Sequence, residues 1–226
     1  MHERLEERAR TPRYTIPQAA EIVGRPANTV RRWSLGHRRK YQGRPAVDDP
    51  LIAVDGDPAG LPLSFLNLLE LQLLSRYRNE AALQAIRRAL EFVAKELEIP
   101  RPLISIEFKV RGGELFTQFS ETEDGRELLV NASRGGQVTL ENLVGGVALT
   151  DDIDYDEDIA SRWWFKTRSV PLLVDTRVAA GHPITAETGV RLDAIASRHR
   201  DGYSAREIQD DTGATETEVV AAILAA

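Results

Sequence analysis

A short run of polar and basic residues near the start of the chain has the residue types needed to contact a nucleic acid. Arginine pairs with guanine or phosphate, and Asn or Thr pairs with adenine, phosphate or a thymine methyl group. The run lies within residues 27–33, and its candidate contacts are Asn28, Thr29, Arg31 and Arg32. A second run, residues 37–44, adds positive charge that binds the phosphate backbone without sequence choice. Its candidate contacts are Arg38, Arg39 and Lys40.

Two short helices are needed to position these side chains, and the spacing predicts them. Residues 14–23 carry an apolar helical face, followed by the helix breakers Gly24 and Pro26. That face consists of Ile16, Ala19, Ala20 and Val23. Thr15 starts the first helix and is a further candidate contact. Residues 27–33 form the second helix, with Val30 facing inward. The pattern predicts a helix-turn-helix followed by a basic wing, although a solvated pair of surface helices has the same spacing.

Charge is divided unequally along the sequence. Residues 1–44 hold eleven Lys or Arg and four Asp or Glu, whereas the whole chain has 29 basic and 35 acidic residues and a net charge of −6. Such asymmetry indicates a nucleic-acid-facing head on an acidic body.

The first segment resembles the opening of MerR-type winged helix-turn-helix domains. The pattern of that family is met by Thr15, Ala19, Ala20, Gly24, Thr29, Arg31 and Trp33. The resemblance implies a DNA-binding domain whose second helix reads an operator. A palindromic operator requires a dimer, for which the apolar stretch from Phe65 to Leu74 is the candidate interface.

Composition bounds the remaining possibilities. The chain has 226 residues, of which 42% are hydrophobic, enough for one large domain or two to three small ones. There is no stretch of about 20 apolar residues that would span a bilayer, and no apolar run follows the charged start as in a signal peptide. The absence of Cys excludes disulfides and thiolate zinc sites and fits a cytoplasmic protein. We expect no membrane association, no metal and no cofactor.

The patterns along the chain predict an α+β protein with four parts. Residues 1–99 form the winged helix-turn-helix with a helical extension that starts at Ser64 and continues from Asn79 to Leu97. Residues 100–150 form an antiparallel meander of three or four strands, beginning with the alternating residues 104–110. Residues 151–169 are an acidic and aromatic linker, and residues 170–226 are a C-terminal three-helix domain of helix-turn-helix type.

The acidic stretch 150–158 alternates Asp152, Asp154 and Asp156 as a calcium loop does. Glu157 replaces the Gly that this loop needs, so a solvated linker is the preferred interpretation. The following aromatic and cationic cluster is either a binding patch or packed structure.

The C-terminal part has two capping boxes and a negative charge. Ser204 with Glu207 and Thr215 with Glu218 each start a helix, and a preceding helix is expected from Glu187 to His199. The segment from 215 onward contains no cation, so it would be repelled by phosphate. We therefore expect this part to bind protein.

The C-terminal part also resembles the small helical domain of unknown function that ends many VapB-class antitoxins. The first motif is met by Asp175, Arg177, Gly181, Pro183, Thr188, Gly189 and Val190. The second motif is met by Gly202, Ser204, Glu207, Ile208, Val219, Ala222 and Ile223. A stretch typical of longer antitoxins of this group is met by Asn131, Ser133, Arg134, Gly135, Gly136 and Gln137.

The resemblance implies the antitoxin of a type II toxin-antitoxin pair, which neutralises a PIN-like ribonuclease toxin and represses its own operon. An acidic body complements the basic surface of a ribonuclease, and an Arg can pair with the carboxylates of its active site. The candidates for contact with the toxin are Arg162, Trp163, Trp164, Asp175 and Arg177.

Two alternatives stay open at this point. Residues 171–176 resemble the first strand of PIN nucleases, which would make Asp175 a metal ligand, but too few residues follow to complete that fold and no convergent catalytic site is visible. We therefore expect that the protein is not an enzyme. The second alternative is a stand-alone MerR-like regulator with a sensing or dimerising middle domain, and such a gene would have no toxin gene beside it.

Overall fold

The chain divides into two compact units. The structure is a computed structural model that describes residues 2–41, 44–105, 108–111, 114–121, 127–140, 151–157, 159–164 and 168–225. The central unit is Tyr14–Thr150, and the terminal unit combines Met1–Arg13 with Asp151–Ala226. The central unit is thus inserted between two pieces of the terminal unit and has a chain connection at each end.

Helices and strands alternate in blocks along the described residues. The helices are α1 His2–Arg10, α2 Ile16–Val23, α3 Ala27–Leu35, α4 Phe65–Glu80, α5 Leu83–Glu96, α6 Pro102–Ser105, α7 Leu192–Arg200, α8 Ala205–Thr212 and α9 Glu216–Ala225. The strands are β1 His37–Tyr41, β2 Arg44–Asp48, β3 Phe108–Arg111, β4 Glu114–Glu121, β5 Glu127–Asn131, β6 Gln137–Leu140, β7 Ile153–Asp156, β8 Ile159–Trp164, β9 Leu172–Asp175 and β10 Ile184–Thr185. In the described ranges, the helices are too short or too polar to cross a bilayer.

The predicted first helix pair is present in the central unit as α2 and α3. Thr15 caps α2 through a capping box with Gln18, and Gly24 ends it in the left-handed conformation (φ 66°). The four predicted apolar residues of α2 are buried. The predicted boundaries of α2 therefore agree with the structure.

A two-stranded hairpin follows α3. Strands β1 and β2 pair antiparallel, with His37 opposite Asp48 and Tyr41 opposite Arg44. Gly36 joins α3 to β1 at a φ of 74°, and a Cβ there would lie 2.6 Å from the Asp48 carbonyl oxygen. Only glycine fits this backbone conformation and this close approach, so Gly36 fixes where the hairpin leaves α3.

Helix α4 is the core of the central unit. Ser64 caps it as predicted, through a capping box with Asn67. The apolar side chains from Phe65 to Leu74 are buried within the unit, and most have no solvent exposure. The predicted use of this stretch as a dimer interface is wrong, because a helix that is apolar all round is covered by its own chain here.

The middle strands form a four-stranded antiparallel sheet in the order β3-β4-β5-β6. The predicted first strand begins too early, because residues 102–105 form α6, where the Arg101 carbonyl accepts hydrogen bonds from the Ile104 and Ser105 amides. Ile106 lies outside the described residues. The 3₁₀ turn Ala132–Arg134 after β5 packs on α5, where a Cβ on Gly136 would overlap the Phe92 ring at 2.6 Å.

The terminal unit contains a second antiparallel sheet in the order β10-β9-β8-β7. Strand β9 is buried along its whole length, and α1 packs against β8. Helix α1 therefore belongs to this unit, whereas the sequence placed residues 1–99 in one domain. The predicted solvated linker at 151–169 is wrong over its described part, because β7 and β8 pair there.

Three helices, α7 to α9, complete the terminal unit and pack on one another. Both predicted capping boxes form, Ser204 with Glu207 and Thr215 with Glu218. Helix α7 begins at Leu192 and not at Glu187, because the amides of Glu187 and Thr188 donate to the Glu218 carboxylate at 2.8 and 3.1 Å. Thr188 also donates its hydroxyl to Glu218 (2.8 Å). One buried carboxylate thus fastens the loop before α7 to the start of α9.

Candidate nucleic-acid interface and polar sheet face

Helix α3 presents a polar face to solvent. Val30 and Trp33 are buried on its inner side, whereas Asn28, Arg31 and Arg32 are exposed. Residues three and four apart on a helix lie on the same side, so these three side chains share one surface. Thr29 beside them is partly exposed. The structure therefore brings the four predicted base-reading residues together on the outer part of α3.

The two arginines of this face are not neutralised by any described acidic side chain. Within the described part of the chain, neither Arg31 nor Arg32 forms an ion pair with an acidic side chain. Residues 14–44 of the central unit contain seven Lys or Arg and one Glu. Guanidinium groups without an internal partner are free to bind an anion such as phosphate.

The remaining predicted contacts lie around α3. Thr15 is the N-cap of α2, and its hydroxyl and amide both meet the Gln18 side-chain oxygen, at 3.0 and 2.9 Å. Arg38 is exposed on β1. Arg39 and Lys40 belong to the same strand, and their side chains lie outside the described part of the structure. The structure thus places Arg38 directly after α3 and gives Thr15 a role in starting α2.

Arg25, in the turn between α2 and α3, positions the helix pair and was not predicted from the sequence. Its Nε donates to the Ser75 hydroxyl (2.6 Å), and its Nη2 donates to the Ser75 carbonyl (2.9 Å) and the Asn79 side chain (2.9 Å). These bonds tie the turn to α4. Since the partners are 50 or more residues away, no local pattern identifies them.

The loop after β2 is held by a buried polar cluster that sequence reasoning also missed. Arg101 pairs with Glu70 (2.8 Å) and Asp55, and all three side chains are largely buried. The Asn67 amide nitrogen donates to Glu70 (2.9 Å) and to the Ala53 carbonyl (2.7 Å). Buried charges are tolerated when they are paired and hydrogen-bonded, so this cluster anchors the loop to α4.

A row of alternating charges crosses the terminal sheet. In the strand register, Arg162 of β8 lies opposite Asp154 of β7 on one side and Asp175 of β9 on the other. Its Nε and Nη2 contact the Asp175 Oδ2 at 3.1 and 3.0 Å, and its Nη1 lies 3.6 Å from the Asp154 Oδ2. Cross-strand pairs of opposite charge stabilise a sheet in this way. The row is the centre of what we call the polar sheet face.

Four further side chains extend the polar sheet face. Arg177 donates two hydrogen bonds to Asp175 (3.0 and 2.9 Å) and a third to Asp156 (3.0 Å). Arg168 donates to Asp154 (2.6 Å), which also accepts from the Trp164 indole (2.9 Å). The three arginines here have acidic partners, whereas Arg31 and Arg32 of α3 have none among the described residues.

Four of the five predicted toxin contacts meet on this face, and the fifth does not. Arg162, Trp164 and Arg177 keep partial exposure, whereas Asp175 is 3% exposed. Trp163 points to the opposite side of the sheet, is 1% exposed and donates to Asp152 (3.1 Å). Trp163 is therefore part of the core, and the accessible members of the cluster are Arg162, Trp164 and Arg177.

The pKa of Asp175 reflects its two guanidinium partners. Burial raises the pKa, but hydrogen bonds from Arg177 and Arg162 outweigh it and hold the pKa below the usual value of 3.8. The pKa of Asp154 is lowered similarly, since its bonds to Trp164 and Arg168 outweigh burial. A carboxylate between two arginines is a poor ligand for a cation, which argues against a metal-binding role for Asp175.

Comparison with known proteins identifies the class of the first domain. Residues 12–90 match the family described as "Putative DNA-binding HTH domain". The matched segment covers α2, α3, the hairpin, α4 and part of α5. The chain therefore contains a segment that is similar to helix-turn-helix domains of DNA-binding type, within a mixed α and β fold.

A particular relative extends the likeness to the rest of the chain. The chain is 26% identical over 227 residues to "Putative antitoxin VapB45" of Mycobacterium tuberculosis (strain ATCC 25618 / H37Rv), covering 95% of this chain and 94% of that protein. The fold is similar to the crystal structure of Rv2018 from Mycobacterium tuberculosis, with a TM-score of 0.62 and 19% identity over 96% of this chain and 98% of the other. Both similarities span the central and the terminal unit.

Proposed function

We propose that this protein is the antitoxin of a type II toxin-antitoxin pair, which neutralises a PIN-like ribonuclease and represses its own operon. The observation that carries the proposal is the end-to-end similarity to a protein named as an antitoxin, over 95% of this chain. The exposed basic face of α3 supports the DNA-binding half of the role, and the acidic terminal unit supports the protein-binding half.

The DNA-binding half rests on the position of α3. Asn28, Arg31 and Arg32 share an exposed face, and a helix of this kind fits the major groove with such side chains at base edges and phosphates. The hairpin that begins with β1 follows immediately and carries Arg38, Arg39 and Lys40. In the proposal, the hairpin acts as the wing and contacts the phosphate backbone.

Operon repression also needs two copies of α3 when the operator is palindromic. We propose a homodimer on that ground. Its interface is not the stretch from Phe65 to Leu74, because those side chains are covered within one chain. The dimer therefore uses another surface.

The protein-binding half rests on charge. The terminal unit contains 18 acidic and 12 basic residues, whereas the central unit contains 17 of each. A ribonuclease presents a basic surface to its RNA, and an acidic partner complements it. On the polar sheet face, Arg162, Trp164 and Arg177 are the candidates for contact with the toxin.

The test is co-expression of the full chain with the product of the neighbouring gene. The proposal expects the two proteins to purify as one complex, the ribonuclease activity of the partner to be suppressed, and the complex to bind DNA upstream of the two genes. An active ribonuclease that is unaffected by a stoichiometric amount of this protein would contradict the proposal.

The same experiment separates the alternative of a stand-alone regulator. The family match at residues 12–90 supports DNA binding without any toxin. Under that alternative, the full chain binds its own upstream DNA, the neighbouring product has no ribonuclease activity, and no complex forms.

A further inference from the structure

An open apolar groove lies in the terminal unit between the segment before β9 and helix α9. Its volume is about 560 Å³. Its apolar lining includes Val170, Pro171, Val220, Ala221 and Leu224, and Glu216 is its charged member. The groove is separate from the polar row of Arg162 and Asp175, and none of the motifs discussed above accounts for it.

The wall formed by α9 is apolar and exposed. Leu224 is 78% exposed and Val220 is 44% exposed, although both are large aliphatic side chains. With Thr217 and Ala221 they follow the i, i+3, i+4, i+7 spacing of one helical stripe. On its other side, α9 buries Val219 and Ala222 in the unit. A helix that is apolar on both sides is normally covered on both sides, so the outer stripe has the character of a docking surface.

The shape of this surface matches a helix. Helix α9 has ten residues, which corresponds to a length of about 15 Å, or nearly three turns. A groove of that length, with a stripe of Thr217, Val220, Ala221 and Leu224 as one wall, accommodates the apolar stripe of a second helix by ridges-into-grooves packing.

The charge around the groove determines which kind of partner helix it attracts. Residues 201–225 contain six acidic residues and a single basic one, Arg206. The last helix has no cation, and Glu216 in its first turn lines the groove. A second copy of the same acidic surface would be repelled, whereas a helix with Lys or Arg beside its apolar stripe is attracted.

We infer that the groove binds one amphipathic helix of a partner protein, with an apolar stripe flanked by basic residues. The inference deepens the proposed function, on which it rests for the identity of the partner as the ribonuclease toxin. Leu224 and Val220 are the central apolar contacts, and Glu216 in the groove lining pairs with a cation of the partner helix.

The first test uses the full chain and two synthetic 18-residue amphipathic helices with the same Leu stripe, one flanked by Lys and the other by Glu. Fluorescence anisotropy of labelled peptide should show binding of the Lys peptide at least about 10-fold tighter than that of the Glu peptide. Leu224→Asp and Val220→Asp should each weaken the Lys peptide about 10-fold. Val178→Asp is the matched control, because Val178 is 41% exposed in the same unit outside the groove, and it should have no effect.

The aspartate variants separate docking from general attraction between charges. They make the protein more acidic, so binding by charge alone would become tighter, whereas binding in the groove becomes weaker. Unchanged or tighter binding of the Lys peptide by both variants would overturn the inference. Sedimentation of the wild-type chain as a dimer that Leu224→Asp dissociates would also overturn it, since a second copy would then be the occupant.

The second test uses the product of the neighbouring gene. The inference expects Leu224→Asp to weaken complex formation and ribonuclease inhibition at least about 10-fold, with Val178→Asp as the control. If Leu224→Asp inhibits the ribonuclease as well as the wild type does, the groove is not the docking site and the antitoxin function stands. If the wild type does not bind the neighbouring product, the proposed function fails, and the peptide measurements alone decide the inference.

Discussion

The arginines of the two units differ in whether they pair with an acidic side chain. On α3 of the central unit, Arg31 and Arg32 are exposed and have no acidic partner among the described residues. On the polar sheet face of the terminal unit, Arg162 and Arg177 are each bonded to Asp175. The same side chain is therefore available to an external anion in one unit and is used for internal pairing in the other. Local sequence does not distinguish the two uses; the neighbouring strands and helices do.

The strongest test of this comparison is the double variant Arg31→Ala/Arg32→Ala. We expect it to weaken binding to the DNA upstream of the gene by about 100-fold or more, since each base or phosphate contact contributes about 1–3 kcal/mol. Thermal stability should not change, because neither side chain has an acidic partner in the part of the chain that the structure describes. Anisotropy titration at physiological salt measures the first effect and calorimetry the second. Arg134→Ala is the control, because Arg134 is exposed but paired with Glu114; equal loss of affinity in that variant would break the comparison.

The next largest effect is expected at Glu218 in the terminal unit. Glu218→Gln replaces one of the two carboxylate oxygens by an NH₂ group, which then faces backbone amides that also donate: those of Glu187 and Thr188 at Oε1, or that of Thr215 at Oε2. We expect a loss of about 2–3 kcal/mol in the unfolding free energy, because buried donors lose their acceptor. Urea unfolding followed by tryptophan fluorescence measures it. Glu207→Gln removes the equivalent carboxylate of an exposed capping box and should cost much less; equal losses would show that Glu218 acts only as a cap.

A smaller effect is expected for Arg177→Ala. This change removes three hydrogen bonds to Asp175 and Asp156, but Arg177 is 36% exposed, so solvent screens the pair and we expect a loss of about 1 kcal/mol. DNA affinity should be unaffected, in contrast to the α3 variant. Parallel measurement of stability and DNA binding checks both statements, and a loss of DNA affinity without a loss of stability would reverse the roles assigned to the two sets of arginines.

The smallest expected effect is the loss of terminal-unit stability on mild acidification. Burial and Arg191 lower the pKa of His182 below 6.5, so the folded state resists protonation and stability falls gradually below about pH 6.5. The pKa values of Glu218 and Asp175 are also lowered, by hydrogen bonds that outweigh burial, so their contributions are complete above about pH 4.5 and are lost below it. Urea unfolding as a function of pH measures the unfolding free energy across both pH ranges, which we call the upper and the lower window.

Two variants identify which residue causes each of the two pH-dependent losses of stability. His182→Gln should flatten the upper window, and Glu218→Gln should make the lower one shallower. Stability that rises as the pH falls from 6.5 to 4 would contradict both assignments of sign.

Local signals predicted much of the fold. Thr15, Ser64, Ser204 and Thr215 each start a helix as predicted, because a capping residue interacts only with the next three residues. The apolar spacing of α2 and the division of α3 into an inner and an outer side were equally readable. The face of α3 that carries Arg31 and Arg32 follows directly from this periodicity.

Contacts between distant residues were not predictable in the same way. The polar composition of the acidic stretch near Asp154 predicts a linker, whereas the structure has β7 there. Its neutralising partners, Arg162 and Arg168, lie on and after the next strand, and their positions depend on the register of β7 with β8. The bonds from Arg25 to Ser75 and from Glu187 to Glu218 likewise join residues that lie 50 and 31 positions apart.

The insertion of the central unit between the two pieces of the terminal unit has a consequence during translation. Helix α1 leaves the ribosome before the central unit, but its packing partner β8 follows about 150 residues later. The central unit is complete in the nascent chain before that strand is made, and domains generally fold as units while synthesis proceeds. The central unit can therefore fold before the terminal unit, whereas α1 cannot dock until β8 has been synthesised.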